Sequence, residues 1–123
     1  MTTTLLIAPE KAKEFFAWKL DFTVDPAELS QQIKNSENIT IIDVRAAKDF
    51  IRGHLPRAIN LPAGNWDKTS GWRKERPLVV YCYSQTCHLA AHAAVEFARQ
   101  GLSVREMEGG FETWRKNKLP VEL

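Results

Sequence analysis

The chain has 123 residues, 44% hydrophobic and 26% charged, which is the composition of one ordinary globular domain. Its 17 basic and 15 acidic residues are mixed along the sequence, so there is no basic block for nucleic acid, and no apolar run approaches the roughly 18 residues of a membrane span. Two cysteines make no disulfide framework, and the N-terminus lacks the basic region of a signal peptide. We therefore expect a cytoplasmic, reducing location and no nucleic-acid or membrane partner.

The first half of the chain alternates helical and strand patterns. Residues 9–20 place apolar side chains in one stripe and predict an N-terminal amphipathic helix. Residues 22–24 fit a short strand, and the Asp-Pro-Ala-Glu run at 25–28 has the cap, proline and acidic residue of a helix start. The apolar, β-branched run 39–44 predicts a strand that is covered on both faces, as in a parallel sheet.

The second half continues the alternation. The patterns predict a short helix at 46–52, a strand at 58–61, a polar loop at 63–76, a strand at 77–82, a helix at 87–100, a strand at 103–107 and a helix at 111–116. Strands that alternate with helices favour an α/β fold with a mainly parallel sheet. In such sheets, functional sites lie at the carboxyl ends of the strands.

Cys82 is the strongest candidate for chemistry because it ends the predicted strand 77–82 and precedes a polar loop and an Ala-rich helix. This arrangement brings backbone N–H groups and a helix N-terminus towards the sulfur, and both favour a thiolate. A helix terminus contributes up to about 2 kcal/mol, so we expect the thiolate fraction at pH 7 to rise from about 3% to about a third. The alternative is that Cys82 is an inert, buried strand residue.

Three segments of the sequence resemble the rhodanese-like domain family. They are residues 41–62 (IIDVRAAKDFIRGHLPRAINLP), Cys82 after its Val-Val-Tyr strand, and residues 109–122 (GGFETWRKNKLPVE), and they occur in the family's order. The resemblance implies a five-stranded, mainly parallel sheet with helices on both faces, formed by residues 21–123. Residues 1–20 then form an added N-terminal helical extension.

The resemblance also implies a sulfurtransferase. A sulfane sulfur would move from a persulfide or thiosulfate-type donor to a thiol, cyanide or a thiol-bearing carrier protein through a persulfide on Cys82, which is nucleophilic catalysis. No metal and no organic cofactor is implied. The backbone of the following loop would cradle the anionic sulfur. That loop consists of Tyr83, Ser84, Gln85, Thr86, Cys87 and His88.

Two loop positions depart from the family pattern, which often has Gly three residues after the cysteine and Arg or Lys five residues after it. Gln85 and Cys87 stand there. Gln85 either adopts a positive φ, at a cost of about 1–2 kcal/mol, or the loop has a different shape. Without the cation, we expect thiosulfate to be a poor donor and thiol-type persulfides to be better ones.

Cys87 admits two interpretations. It is either a small residue that fills the space of the absent cation or a resolving thiol that forms a disulfide with Cys82. The altered loop also leaves a different class of function open, a non-catalytic or redox-sensing binding module that uses both cysteines.

Polar residues outside the cysteine loop are expected to have accessory or structural roles. Asp43, at the end of strand 39–44, is a possible accessory site residue, whereas the resemblance implies that Arg45 pairs with Asp49 or a neighbour. His54 follows a glycine in a turn and is expected to be structural. His92 is expected to face solvent on the helix 87–100.

Zinc and phosphate chemistry are both disfavoured. The spacing of His88 and His92 relative to the two cysteines matches no zinc signature. A branch of the fold that hydrolyses phosphate places Arg six residues after the cysteine, where this chain has His88 and no cation anywhere in residues 83–88.

Overall fold

Helices and strands alternate through residues 6–123, the part of the chain that the computed structural model describes. Each predicted element is present, with ends shifted by at most two residues. The first five residues of the predicted extension 1–20 lie outside the described chain. The elements are α1 (Pro9–Phe22), β1 (Thr23–Val24), α2 (Pro26–Lys34), β2 (Thr40–Asp43), α3 (Ala47–Ile51), β3 (Ala58–Asn60), β4 (Leu78–Tyr81), α4 (Leu89–Arg99), β5 (Val104–Met107) and α5 (Gly110–Lys116).

The described strands form one sheet in the order β1-β5-β4-β2-β3, and neighbouring strands run parallel. Their carboxyl ends therefore share one edge, and the register places Asp43 beside Tyr81 at that edge. All four residues of β4 are buried, as expected for a strand covered on both faces. Cys82 follows β4 directly and so lies at the edge where parallel α/β sheets carry their sites.

Two hydrophobic clusters cover the two faces of the sheet. Neighbouring residues on a strand point to opposite faces, so Ile41 belongs to one cluster and Ile42 to the other. The first cluster includes Leu29 of α2 and Trp114 of α5. The second takes its helical side chains, Ala90, Ala93 and Phe97, from α4. This confirms the predicted five-stranded α/β sheet with helices on both faces.

Helix α2 begins as its sequence predicts. The Asp25 carboxylate caps it by accepting a hydrogen bond from the Glu28 amide at 2.8 Å, and Pro26 occupies the first helical position. Leu29 is fully buried, and Ile33 packs against the same cluster.

Helix α1 forms, but its apolar stripe does not enter the core. It contributes no buried residue. Its large apolar side chains are more than half exposed; they are Phe15, Phe16, Trp18, Leu20 and Phe22. The Lys19 ammonium lies 4.0 Å from the Glu108 carboxylate, just beyond β5. In residues 6–123, no helix combines the length and apolarity needed to cross a membrane.

Candidate active site

The N-terminus of α5 holds the start of the cysteine loop. The Cys82 and Tyr83 carbonyls each accept a 2.9 Å hydrogen bond, from the Phe111 and Glu112 amides respectively. This close approach requires glycine at position 110, since a Cβ there would lie 2.7 Å from the Tyr83 carbonyl carbon. Glycine also adopts the φ of +64° at this position without strain. The Gly-Gly turn before α5 therefore positions the loop as well as the helix.

The Cys82 side chain is enclosed, since the residue is only 2% exposed and belongs to the α4-side cluster. Burial raises the pKa of the Cys82 thiol to about 11, and its hydrogen bond with Cys87 acts in the same direction. Backbone N–H groups of Ala90 and Tyr83 favour the thiolate but do not offset the burial. The expected rise in thiolate fraction is therefore wrong for Cys82, because the loss of hydration outweighs the amide donors.

For the Cys87 thiol, the hydrogen bonds outweigh the burial, and its pKa is lowered. Burial alone would raise its pKa, but the hydrogen bond with the Cys82 thiol and the amides of Leu89 and Tyr83 lower the pKa below the ordinary value. The residue is partly exposed, and both cysteines are free thiols. The Cys82 Sγ atom also lies 3.5 Å from the Cys87 carbonyl oxygen, to which it donates. The loop thus holds two interacting thiols, and the more accessible thiol is the more acidic one.

The amides near these sulfurs come from the loop and from the start of the following helix. Tyr83 lies in the predicted range 83–88, whereas Leu89 and Ala90 lie just beyond it, in the first turn of α4, the helix whose N-terminus was predicted to approach the sulfur. The Cys87 amide is unavailable to the sulfur of Cys82 because it bonds to the Ser84 carbonyl at 3.1 Å.

The backbone conformation of Gln85 distinguishes the two predicted shapes of the cysteine loop. Within residues 6–123, the non-glycine residues with positive φ are Ser36, Arg57 and Lys118, so Gln85 does not adopt the strained conformation. Its side-chain oxygen instead accepts a 2.7 Å hydrogen bond from the Gly109 amide. The loop has a different shape, tied to the β5–α5 turn.

Of the remaining loop residues, Tyr83, Thr86 and His88 are exposed and Ser84 is half-buried. The Tyr83 hydroxyl donates to the Asp49 carboxylate at 2.6 Å and accepts from the Ala46 amide at 3.0 Å, which joins the loop to α3. The Ser84 and Thr86 hydroxyls lie 3.4 Å apart. His88 is the exposed residue immediately before α4.

Asp43 is fully buried at the end of β2, where its carboxylate binds Arg45 and Tyr81. The Arg45 Nη2 atom lies 2.7 Å from Oδ2, and the Tyr81 hydroxyl donates to the same oxygen at 2.6 Å. Of the partners that the resemblance allowed, Asp49 or a neighbour, Arg45 pairs with the neighbour Asp43, which is two residues away on the same side of the extended chain. The Asp49 carboxylate instead accepts a hydrogen bond from the Tyr83 hydroxyl.

His54 and His92 have the structural and solvent-facing positions that the sequence predicts. His54 is 9% exposed, stacks on Phe50 with ring centroids 3.8 Å apart, and has Nδ1 2.9 Å from the Phe50 carbonyl oxygen. His92 is exposed on α4. Across the described residues, no three His, Cys, Asp or Glu side chains converge in a way that would hold a metal ion.

Comparisons with known proteins agree with this architecture. The sequence model of the family described as "Rhodanese-like domain" matches residues 25–117. The "HTH-type transcriptional regulator Rv0324" of Mycobacterium tuberculosis is 35% identical over 98 residues, which cover 78% of this chain but 42% of that protein. The chain thus spans less than half of that relative.

Two further similarities cover most of both proteins. "Thiosulfate sulfurtransferase GlpE" of Pseudomonas putida is 31% identical over 97 residues, which is 77% of this chain and 86% of the relative. The crystal structure of the BH2092 protein from Bacillus halodurans superposes with a TM-score of 0.84 at 37% identity, covering 94% of this chain and 86% of that one. The chain therefore belongs to the rhodanese-like domain family, which includes sulfurtransferases.

Proposed function

We propose that this protein is a sulfurtransferase that carries a sulfane sulfur as a persulfide on Cys82. The observation that carries the proposal is the position of this thiol, directly after β4 at the carboxyl edge of a parallel sheet, with the Tyr83 and Ala90 amides donating to it. The similarity to a relative named thiosulfate sulfurtransferase supports the same reaction class.

The transfer takes place in two displacements. The Cys82 thiolate attacks the outer sulfur of a persulfide R–S–SH, the donor S–S bond breaks, and RS⁻ leaves while Cys82 carries S–SH. An acceptor thiolate then attacks the outer sulfur of that persulfide, and the Cys82 thiolate is released. The sulfane sulfur changes partners without net oxidation, and no cofactor is required.

Cys87 acts as the base that removes the proton of the buried Cys82 thiol. With a pKa of about 11, Cys82 is protonated at neutral pH, whereas the hydrogen bond with the Cys82 thiol and the nearby amides lower the pKa of Cys87. Cys87 then accepts the Cys82 proton as Cys82 attacks the donor. This gives the loop a base that interacts with Cys82, although residues 83–88 contain no arginine.

The donor class follows from the charge of the loop. Residues 83–88 contain no Arg or Lys, so a dianionic donor such as thiosulfate finds no fixed cation. We expect steady-state rates with a thiol persulfide, such as glutathione persulfide, to exceed those with thiosulfate. Clearly faster turnover with thiosulfate would contradict this choice of donor.

Intact-mass measurement tests the central step. After incubation with glutathione persulfide, the protein should gain one sulfur atom, and Cys82→Ala should abolish this gain. Cys87→Ala should still gain the sulfur, but more slowly because the neighbouring base is absent. Persistence of the gain in Cys82→Ala would place the persulfide elsewhere and overturn the proposal.

A redox-sensing function is the second candidate, and the contact between two free thiols in one loop favours it. Peroxide would oxidise the more accessible and more acidic Cys87 to a sulfenic acid, and the Cys82 sulfur would then displace hydroxide, which leaves as water with the Cys82 proton, to form a disulfide. The likeness to a relative named as a transcriptional regulator fits such a role. Non-reducing mass spectrometry after mild peroxide should show loss of two hydrogens, absent in Cys87→Ser; sulfenic or sulfinic acid without a bridge would exclude this candidate.

A further inference from the structure

A cavity lies at the edge of the sheet opposite to the cysteine loop. It encloses about 240 Å³ beside Thr40 and Leu78, the residues that begin β2 and β4. Because β4 rises about 3.3 Å per residue, roughly 13 Å separate this end of the strand from Cys82. The cavity is therefore distinct from the proposed active site.

Two guanidinium groups converge on one backbone oxygen in this cavity. Arg76 donates to the Ile39 carbonyl at 2.9 Å and to the Thr40 hydroxyl at 2.8 Å. Arg57 donates to the same Ile39 carbonyl at 3.1 Å and to the Glu37 carbonyl at 3.2 Å. Since both Nη2 atoms contact one oxygen, they lie no more than about 6 Å apart.

These two cations are held without carboxylate partners. The ion pairs found among residues 6–123 include neither Arg57 nor Arg76. The Glu122 carboxylate accepts from the Arg57 backbone amide, not from its guanidinium group. Arg73, a third cation on the rim, meets only the highly exposed Glu75 at 3.5 Å, and such pairs are weak. Fixed like charges repel each other, and a bound anion would remove that repulsion.

A β-turn fixes the position of Arg57 at the rim of the cavity. The Ala58 amide donates to the Leu55 carbonyl at 3.1 Å, and this turn requires the positive φ of +68° that Arg57 adopts. The turn places the Arg57 guanidinium group in a cavity that is also lined by the Trp72 ring.

We propose that this cavity binds a small oxyanion of the phosphate class, either free or as a phosphomonoester. Arginine N–H groups form strong, charge-assisted hydrogen bonds with phosphate oxygens. The protein contacts use Nε and Nη2 of Arg76 and Nη2 of Arg57, which leaves the Nη1 groups of both residues for the anion. The cavity volume lies below the usual range of about 300–1,000 Å³ for drug-sized ligands, which favours a compact anion. Trp72 and Ile59 provide an apolar wall on which the organic part of a phosphomonoester would rest. The proposal does not depend on sulfur transfer by Cys82.

NMR titration of the intact chain with inorganic phosphate tests the site. The Nε–H resonances of Arg57 and Arg76 and the Trp72 indole N–H should shift saturably, and sodium chloride at equal ionic strength should not reproduce the shifts. Glycerol phosphate as a second ligand distinguishes a phosphomonoester site from a free-phosphate site by its affinity. Linear shifts, or equal shifts with chloride, would show only ionic screening and overturn the proposal.

Arginine variants provide the specificity control. Arg57→Gln should raise the dissociation constant at least about tenfold, because a charge-assisted hydrogen bond contributes about 1.5–3 kcal/mol. Arg73→Gln, at an exposed rim position, should weaken binding about threefold without disturbing the fold. Arg99→Gln on α4, another exposed arginine, should bind as the original chain does. Unchanged affinity in both Arg57→Gln and Arg73→Gln would refute the site.

Discussion

The two loop cysteines should differ in the pH range over which they react. Burial raises the pKa of Cys82 to about 11, whereas the Cys82 thiol and nearby amides lower the pKa of Cys87 despite its partial burial. Only thiolates are alkylated at appreciable rates. Iodoacetamide labelling should therefore level off at lower pH for Cys87, while the Cys82 rate continues to rise towards about pH 11. Peptide mass spectrometry at each pH measures both rates, and a Cys82 plateau below about pH 8 would contradict the burial argument.

Asp43 should be a major stabilising residue because its carboxylate neutralises a buried guanidinium. Arg45 is only 4% exposed and donates to Asp43 and to the Gly53 carbonyl. Asp43→Ala leaves that cation unpaired and should lower the free energy of unfolding by about 3–5 kcal/mol. Urea denaturation measures the change.

The matched control is another Arg–carboxylate pair that is exposed. Glu75→Ala breaks the contact with Arg73 and should change the free energy of unfolding by no more than about 1 kcal/mol. Equal effects of Asp43→Ala and Glu75→Ala would mean that the buried pair contributes no more than a surface contact.

Single residues also show where sequence analysis reached its limit. It identified Cys82 and Cys87 as neighbouring thiols, but the direction of the Cys82 pKa shift depends on how α4 and the loop enclose the sulfur. It could not choose the partner of Arg45, since Asp43 and Asp49 are both near in sequence. Only the folded chain shows that Asp49 is occupied by the Tyr83 hydroxyl.

At the scale of elements, apolar periodicity predicted helices accurately but did not predict which of them are buried. Both α1 and α2 carry apolar stripes, yet α1 has no buried residue while Leu29 of α2 is fully enclosed. A stripe shows which face of a helix is apolar. Whether another element covers that face depends on the topology of the sheet.

Substitutions in these two helices should therefore have unequal effects. Leu29→Ala removes a fully buried side chain and should cost about 2–5 kcal/mol of unfolding free energy. Phe16→Ser, at a side chain that is 58% exposed, should change it by no more than about 0.5 kcal/mol. Chemical denaturation of both variants compares them, and a loss of several kcal/mol in Phe16→Ser would show that α1 packs more closely than the structure indicates.

Across the whole molecule, the parallel sheet separates two kinds of chemistry. The thiols gather at its carboxyl edge, as sequence alternation of strands and helices predicted. The arginine cavity lies at the amino edge, and its members come from the chain before β2, the turn before β3 and the loop before β4. Nothing in their spacing indicates this convergence, because only the parallel register brings the starts of β2 and β4 together.

Gly110 joins α5 to the cysteine loop, because α5 packs on one face of the sheet through Trp114 and touches the loop at the carboxyl edge through Gly110. A Cβ at Gly110 would lie 2.5 Å from the Ser84 amide nitrogen, so Gly110→Ala must displace α5 or the loop. We expect it to destabilise the fold by more than the roughly 1–2 kcal/mol of a left-handed alanine and to speed alkylation of Cys82 by loosening its enclosure.

Gly71→Ala provides the matched control for this last prediction. Gly71 also has a positive φ, +86°, but an added Cβ there would meet nothing within 4 Å. This variant should show only the backbone penalty of about 1–2 kcal/mol and leave the alkylation rate of Cys82 unchanged. Urea denaturation and timed alkylation of both variants separate steric displacement from backbone strain. Indistinguishable behaviour of the two variants would mean that the α5 contact does not hold the loop over Cys82.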